Sequence, residues 1–200
     1  MIDLERQKEN FKNHIAKLTD YGNIKILDFK EPDTSNYRIR FIFEEDYCRL
    51  HISGDLGELQ ATNYNNMTYE GFKDYVDNIG YFEEKIDCHS RSIYTYDEAK
   101  AKEDLMKYIE EYDYKEEIEN ERIYDEPDDA IEYFISDALE DFDEDRGIQS
   151  KGYDVISKID PDFFETVGDI GKEPTGILDL YMMAFKLATD QLKNKEAQHG

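Results

Sequence analysis

The chain has 200 residues, 39% hydrophobic and 14% aromatic, which is enough apolar material for one domain or two small ones. With 49 acidic against 24 basic residues its formal charge is −25, which argues against a surface that tracks a phosphate backbone, since such surfaces need clustered Lys and Arg. No apolar run reaches the ~18 residues of a membrane span. The opening MIDLERQKENF has no signal-like apolar stretch, and the two cysteines form no CxxC, so a reducing cytoplasm is the expected location.

Leu4, Phe11, Ile15 and Leu18 lie near helical spacing and predict a helix over 3–18 that ends around Asp20 to Gly22. Ile24, Ile26 and Phe29 then alternate as a strand. EPDTSN at 31–36 reads as a turn, and Tyr37, Ile39, Phe41 and Phe43 alternate with polar neighbours. Residues 37–53 therefore predict a β-hairpin, and Leu59, Ala61 and Asn63 a further strand beyond the turn at Gly54 and Gly57.

At Thr68 the period changes. Phe72, Tyr75, Val76 and Ile79 form one helical face, with Gly80 expected to end or interrupt it. Residues 87–94 read as a polar loop or short extended piece. Thr95 or Asp97 caps a longer helix to about Tyr112, with Ala101, Leu105, Tyr108 and Ile109 inward. Glu116 to Ile123 can form a short helix. Ala130, Ile131, Phe134, Ile135, Ala138, Leu139 and Phe142 recur with the 3.6-residue period, so 127–143 predicts an amphipathic helix with Pro127 in its first turn. Short helices are expected around Val155 to Ile159 and after Pro161. The last helix carries Ile177, Leu178, Tyr181, Met182, Phe185, Ala188 and Leu192 on its apolar side.

The expected fold is α+β: an N-terminal helix and a three- to four-stranded antiparallel sheet, followed by a mainly helical acidic region. The division falls at 1–94 and 95–200, or the two parts are continuous.

The charge is uneven. Residues 110–145 hold 18 acids against two bases, Lys115 and Arg122. Like charges so close together repel, so folding does not call for them, whereas a basic partner would be steered by them. The apolar stripe in 127–143 argues against a disordered tail. The candidate partner-binding group is Glu116, Glu117, Glu119, Asp125, Glu126, Asp128, Asp129, Glu132, Asp137, Glu140, Asp141, Asp143 and Glu144. Tyr108, Tyr112, Tyr114, Tyr124 and Tyr133, interleaved with these acids, supply contact area at low entropy cost.

Other motifs are weaker. Ser53-Gly54-Asp55-Leu56-Gly57-Glu58 has the glycines of a phosphate loop but no lysine and two acids, so it reads as a hairpin turn. Asp141, Asp143 and Asp145 alternate like the start of a calcium loop, but Gly147 comes one place late and Gly152 stands where the closing Glu belongs. Cys48, His51, Cys88 and His89 invite a zinc reading, which strand geometry opposes by sending Cys48 and His51 to opposite faces. No nucleophile motif or carboxylate dyad stands out. A non-enzymatic protein without cofactor or metal is expected.

Residues 50–86, beginning LHISGDLGELQATNYNNMTYEGF, resemble small phage or mobile-element proteins of low-GC Gram-positive bacteria. Several acidic proteins of that setting inhibit host CRISPR nucleases. The resemblance implies a Cas9-type effector as partner, whose guanine-reading arginines and heteroduplex channel are receptors for carboxylates. It transfers no role to any single residue. Two readings stand: a nucleic-acid mimic that binds a basic protein, and a protein-interaction or regulatory protein whose acidic face only keeps it soluble.

Overall fold

The computed structural model describes residues 3–34, 36–120 and 129–199. The fold is α+β, and the chain divides into two compact units, 1–93 with 175–200, and 94–174.

In the first unit, α1 (Leu4–Lys8) and a 3₁₀ turn (Glu9–Phe11) precede five strands: β1 (Ile15–Asp20), β2 (Ile24–Lys30), β3 (Ile39–Glu44), β4 (Arg49–Gly54) and β5 (Leu59–Thr62). Short helices α2 (Lys73–Val76) and α3 (Ile79–Glu83) lead to β6 (Ile86–His89). The six strands form one antiparallel meander in sequence order. Register places Phe41 between Leu27 and Ile52, and Phe43 beside Leu50. With a side-chain period of two, those residues share one buried face with Phe29, Ile39, Leu59 and Ala61. The other face carries Asp28, Arg40, Ile42, Glu44, His51, Ser53 and Gln60.

The buried face is covered from the far end of the chain by α9 (Ile177–His199). Phe185 sits 4.8 Å from Phe72, 5.5 Å from Phe41 and 6.1 Å from Phe43, mostly edge to face. The Thr175 N–H donates to the Ile93 carbonyl at 2.9 Å, so the chain leaves and re-enters this unit at adjacent points. The last helix thus belongs with the sheet, which differs from a division at 94/95. The sheet's meander supplies one apolar face, and burying that face takes a helix as long and apolar on one side as α9.

Three further expectations are corrected. The N-terminal helix stops at Lys8, because Ala16 and Leu18 turn inward on β1 opposite Phe29 and Leu27. Ile15 is left outward and 47% exposed. The Tyr21-Gly22-Asn23 turn, with Gly22 at φ 80°, makes β1–β2 a hairpin where a helix end was expected. The sheet has six strands where three or four were expected, and β6 forms at the start of the stretch read as a polar loop or short extended piece. The helical face after Thr68 is broken at Asp77–Asn78, where Asn78 accepts from the Tyr81 N–H to cap α3, and Gly80 lies inside that helix.

The second unit opens and closes with a two-stranded ribbon, β7 (Tyr94–Tyr96) paired to β8 (Lys172–Pro174). Between them lie α4 (Glu98–Glu111), α5 (Lys115–Asn120), α6 (Ala130–Ala138), α7 (Ser150–Ile156) and α8 (Phe164–Val167). Asp97 caps α4 by accepting from the Lys100 N–H at 2.8 Å. Ala101, Leu105, Tyr108 and Ile109 of α4 pack with Ile118, Phe134, Ile135, Ala138, Ile156 and Phe163 as a separate core. The helix expected over 127–143 ends at Ala138, and Leu139 and Phe142 pack from the following turn. Asp141 is drawn away there by the start of α7. Pro127 and residues 121–123 of the expected helices lie outside the described residues. Among the described residues no helix is long and apolar enough to cross a membrane.

Candidate functional site

Residues 94–174 contain 28 acids and nine Lys or Arg, so this unit holds −19 of the formal −25. The structure sorts the candidate carboxylates into two kinds. Glu116, Glu117 and Glu119 stand exposed on α5, whose buried Ile118 anchors it in the core. Asp129 and Glu132, at the start of α6, are exposed as well. Asp129 at the N-cap and Glu132 in the first turn suit the positive end of the helix dipole. The described part of 110–145 contains one base, Lys115, which reaches Glu119 at 3.8 Å.

The carboxylates further along have local work. Glu140 pairs with Lys151 at 2.6 Å. Asp141 accepts from the backbone N–H groups of Lys151 at 2.9 Å and Gly152 at 3.3 Å, which caps α7. Asp143 accepts from the Asp145 N–H at 3.0 Å, and its backbone bridges Gly147. The Glu144 carbonyl receives the Tyr96 N–H at 2.8 Å and the Thr95 hydroxyl at 3.1 Å, while the residue itself is exposed. Asp137 is half-buried on α6. Asp125, Glu126 and Asp128 lie outside the described residues.

The other motifs resolve into local structure. In the Gly54–Gly57 turn, the Asp55 carboxylate takes the Arg38 backbone N–H at 2.9 Å and its guanidinium at 3.1 Å, so the turn is filled by an ion pair. The Arg38 guanidinium holds the Asp55 carboxyl below its usual range. Gly54, at φ 144°, leaves no room for a Cβ, which would fall 1.9 Å from the Arg38 carbonyl oxygen. Cys48 lies in a left-handed turn at φ 52° with its thiol 3.2 Å from the Tyr64 carbonyl, away from His51. Among the described residues no group of three or more His, Cys, Asp or Glu is placed to hold a metal ion. His51 instead lies 3.2 Å from Glu44, in an open hollow of about 620 Å³ on the outward sheet face that Cys88 also lines.

One constellation escapes the sequence. Tyr108 on α4, Tyr114 before α5 and Asp160 after α7 meet at the end of the second unit's core. The Tyr108 hydroxyl donates to the Asp160 carboxylate, which also receives Tyr114 and, at 2.9 Å, the Asp162 N–H. The Tyr108 hydroxyl bond is the main cause that lowers the Asp160 carboxyl, and burial is the main cause that raises the Tyr108 and Tyr114 hydroxyls. Phe163 meets the Tyr108 ring edge-on at 4.5 Å. Tyr112 lies 4.8 Å from Tyr108 and near-parallel to Tyr114, at 6.1 Å and 17°. Of the tyrosines interleaved with the acids, Tyr108 is buried, Tyr114 half-buried, Tyr112 and Tyr133 exposed, and Tyr124 lies outside the described residues.

Comparison of the chain with protein-family models, with curated proteins and with solved structures returned no match.

Proposed function

We propose that this is a non-enzymatic binding protein whose acidic helical unit engages a basic nucleic-acid-binding protein in competition with the nucleic acid. The observation that carries the reading is the exposed acid of α5 and the start of α6, set against a single described base within 110–145. Glu110, Glu111 and Asp113 add to it at the C-terminal end of α4, whose last turn holds no base. Acids there oppose the helix dipole and one another, at about 0.3–1 kcal/mol each. A fold selected for stability alone would not concentrate them so. A partner with a basic groove turns that cost into attraction and fast, salt-sensitive association. The resemblance at 50–86 makes a Cas9-type CRISPR effector the first partner to try.

The test is capture from a bacterial lysate on the immobilised chain, with a Glu116→Gln/Glu117→Gln/Glu119→Gln/Glu132→Gln variant as control. The expected result is a nucleic-acid-binding protein released at about 0.2–0.5 M salt, displaced by DNA, and lost from the variant. Equal capture by the variant sinks the reading.

A second reading rests on a different surface. Tyr21 and Tyr47, each 69% exposed, and Ile24, 40% exposed, line one hollow at the end of the sheet. A protein partner held by that aromatic end, with the acids only solubilising, predicts capture that survives charge neutralisation and fails in Tyr21→Ser/Tyr47→Ser.

A further inference from the structure

We propose that the α4–α5 turn is an arginine-recognition site, in which a partner's guanidinium stacks on Tyr112 between the carboxylates at the end of α4 and the start of α5. This rests on the acidic-unit reading and names where in that unit recognition is made.

The turn is built as a platform. The Tyr112 N–H donates to the Tyr108 carbonyl at 3.1 Å, and the Tyr114 N–H to the Ile109 carbonyl at 3.1 Å. With Asp113 at φ 59°, this is a Schellman-type helix end. It sets Tyr112 and Tyr114 side by side with rings near parallel. Tyr108 backs them, and Asp160 fixes Tyr108 and Tyr114 by their hydroxyls. Two of the three rings are therefore held from behind, while Tyr112 is left 54% exposed. An aromatic group presented on a rigid base loses little entropy on binding.

The surroundings select a cation. Glu110, Glu111, Asp113, Glu116 and Glu117 are all exposed around this turn. The carbonyl end of α4 adds its own negative potential. Lys115, at the start of α5, is drawn to Glu119. The turn also breaks a local rule, since glycine is the usual residue at the left-handed position that Asp113 occupies. An acid kept in a strained position, at the wrong end of a helix dipole, beside an exposed ring, fits a role in binding better than a role in folding. Arginine suits it better than lysine, because the planar guanidinium stacks on a ring while bonding carboxylates at its edge and gives up less hydration.

The test uses the whole chain and two labelled peptides of equal length and charge, an arginine–glycine repeat and a lysine–glycine repeat. Fluorescence anisotropy is read at about 50 and about 300 mM salt. The expected result is about threefold to tenfold tighter binding of the arginine peptide. Tyr112→Ala removes that preference and leaves the lysine peptide within about twofold, whereas Tyr112→Phe keeps the preference. Asp160→Asn, which loosens the platform without reaching the peptide, lowers it part-way. Circular dichroism confirms that each variant folds. Equal affinity for the two peptides, or a preference untouched by Tyr112→Ala, overturns the site while salt-sensitive binding of both peptides leaves the acidic-unit reading standing. Failure of both peptides to bind at low salt overturns both.

Discussion

The side-chain amide of Gln191 on α9 bonds the outer backbone of β1 in both directions: its Oε1 accepts from the Ala16 N–H at 2.6 Å, and its Nε2 donates to the His14 carbonyl at 3.0 Å. Strand β1 is an edge of the sheet, and the amide stands in for the missing neighbour at that point. Replacing it leaves a donor and an acceptor without partners. Gln191→Leu is expected to cost about 1–3 kcal/mol, read as a lower urea midpoint with unchanged slope. An unchanged midpoint would show that water replaces the amide without loss.

Phe185 is the keystone between the two ends of the chain in the first unit, ringed by Phe41, Phe43, Tyr69 and Phe72. Phe185→Ala removes a fully buried ring and leaves a cavity, so about 3–5 kcal/mol is expected. Phe185→Leu should recover a substantial part. A loss below ~1 kcal/mol in the alanine variant, measured by denaturant unfolding, would mean that the sheet does not depend on α9 for its core.

Asp160 gives the second unit an acid limit. Its carboxyl is held below the ordinary value in the folded chain, chiefly by the Tyr108 hydroxyl. A depressed carboxyl contributes stability that is complete above its unfolded value of about 3.9 and is lost as pH falls through the folded one. Asp160→Asn should therefore destabilise at pH 7 and flatten the loss of stability below about pH 4. Parallel acid limbs for variant and parent, followed by near-ultraviolet circular dichroism of the tyrosines, would contradict the assignment.

Sequence periodicity reveals elements that bury one side and hides those that do not. Strands β3 to β5 are legible because Phe41, Phe43, Leu50, Ile52, Leu59 and Ala61 recur at every second position, and β2 is legible from Ile24 and Ile26, although pairing sends those two outward and Leu27 and Phe29 inward. The acids are legible as a group, and α4 shows its inward stripe. Strand β1 is not, since Ile15 and Leu18 match helical spacing and only the pairing with β2 sends Leu18 in and Ile15 out. Strand β6 carries Asp87, Cys88 and His89, all exposed, so no burial pattern marks it. The tyrosine–Asp160 cluster joins residues 52 apart, and such pairings leave no local trace. Nor does charge alone separate Asp141, which caps a helix, from Glu116, which caps nothing.

Asp113 sets stability against binding. At φ 59° a side chain is strained, and its charge faces the negative end of α4. Asp113→Gly relieves both, so the variant should gain about 0.5–1 kcal/mol even after the added flexibility of glycine in the unfolded chain. Asp113→Asn, which tolerates the same backbone and loses only the charge, should gain less, a few tenths of a kcal/mol. If the turn exists to hold arginine, both variants should bind the arginine–glycine peptide more weakly while unfolding at higher denaturant. A more stable variant with undiminished peptide binding would leave Asp113 without the role that its strain suggests, and a less stable one would show that the aspartate itself holds the turn.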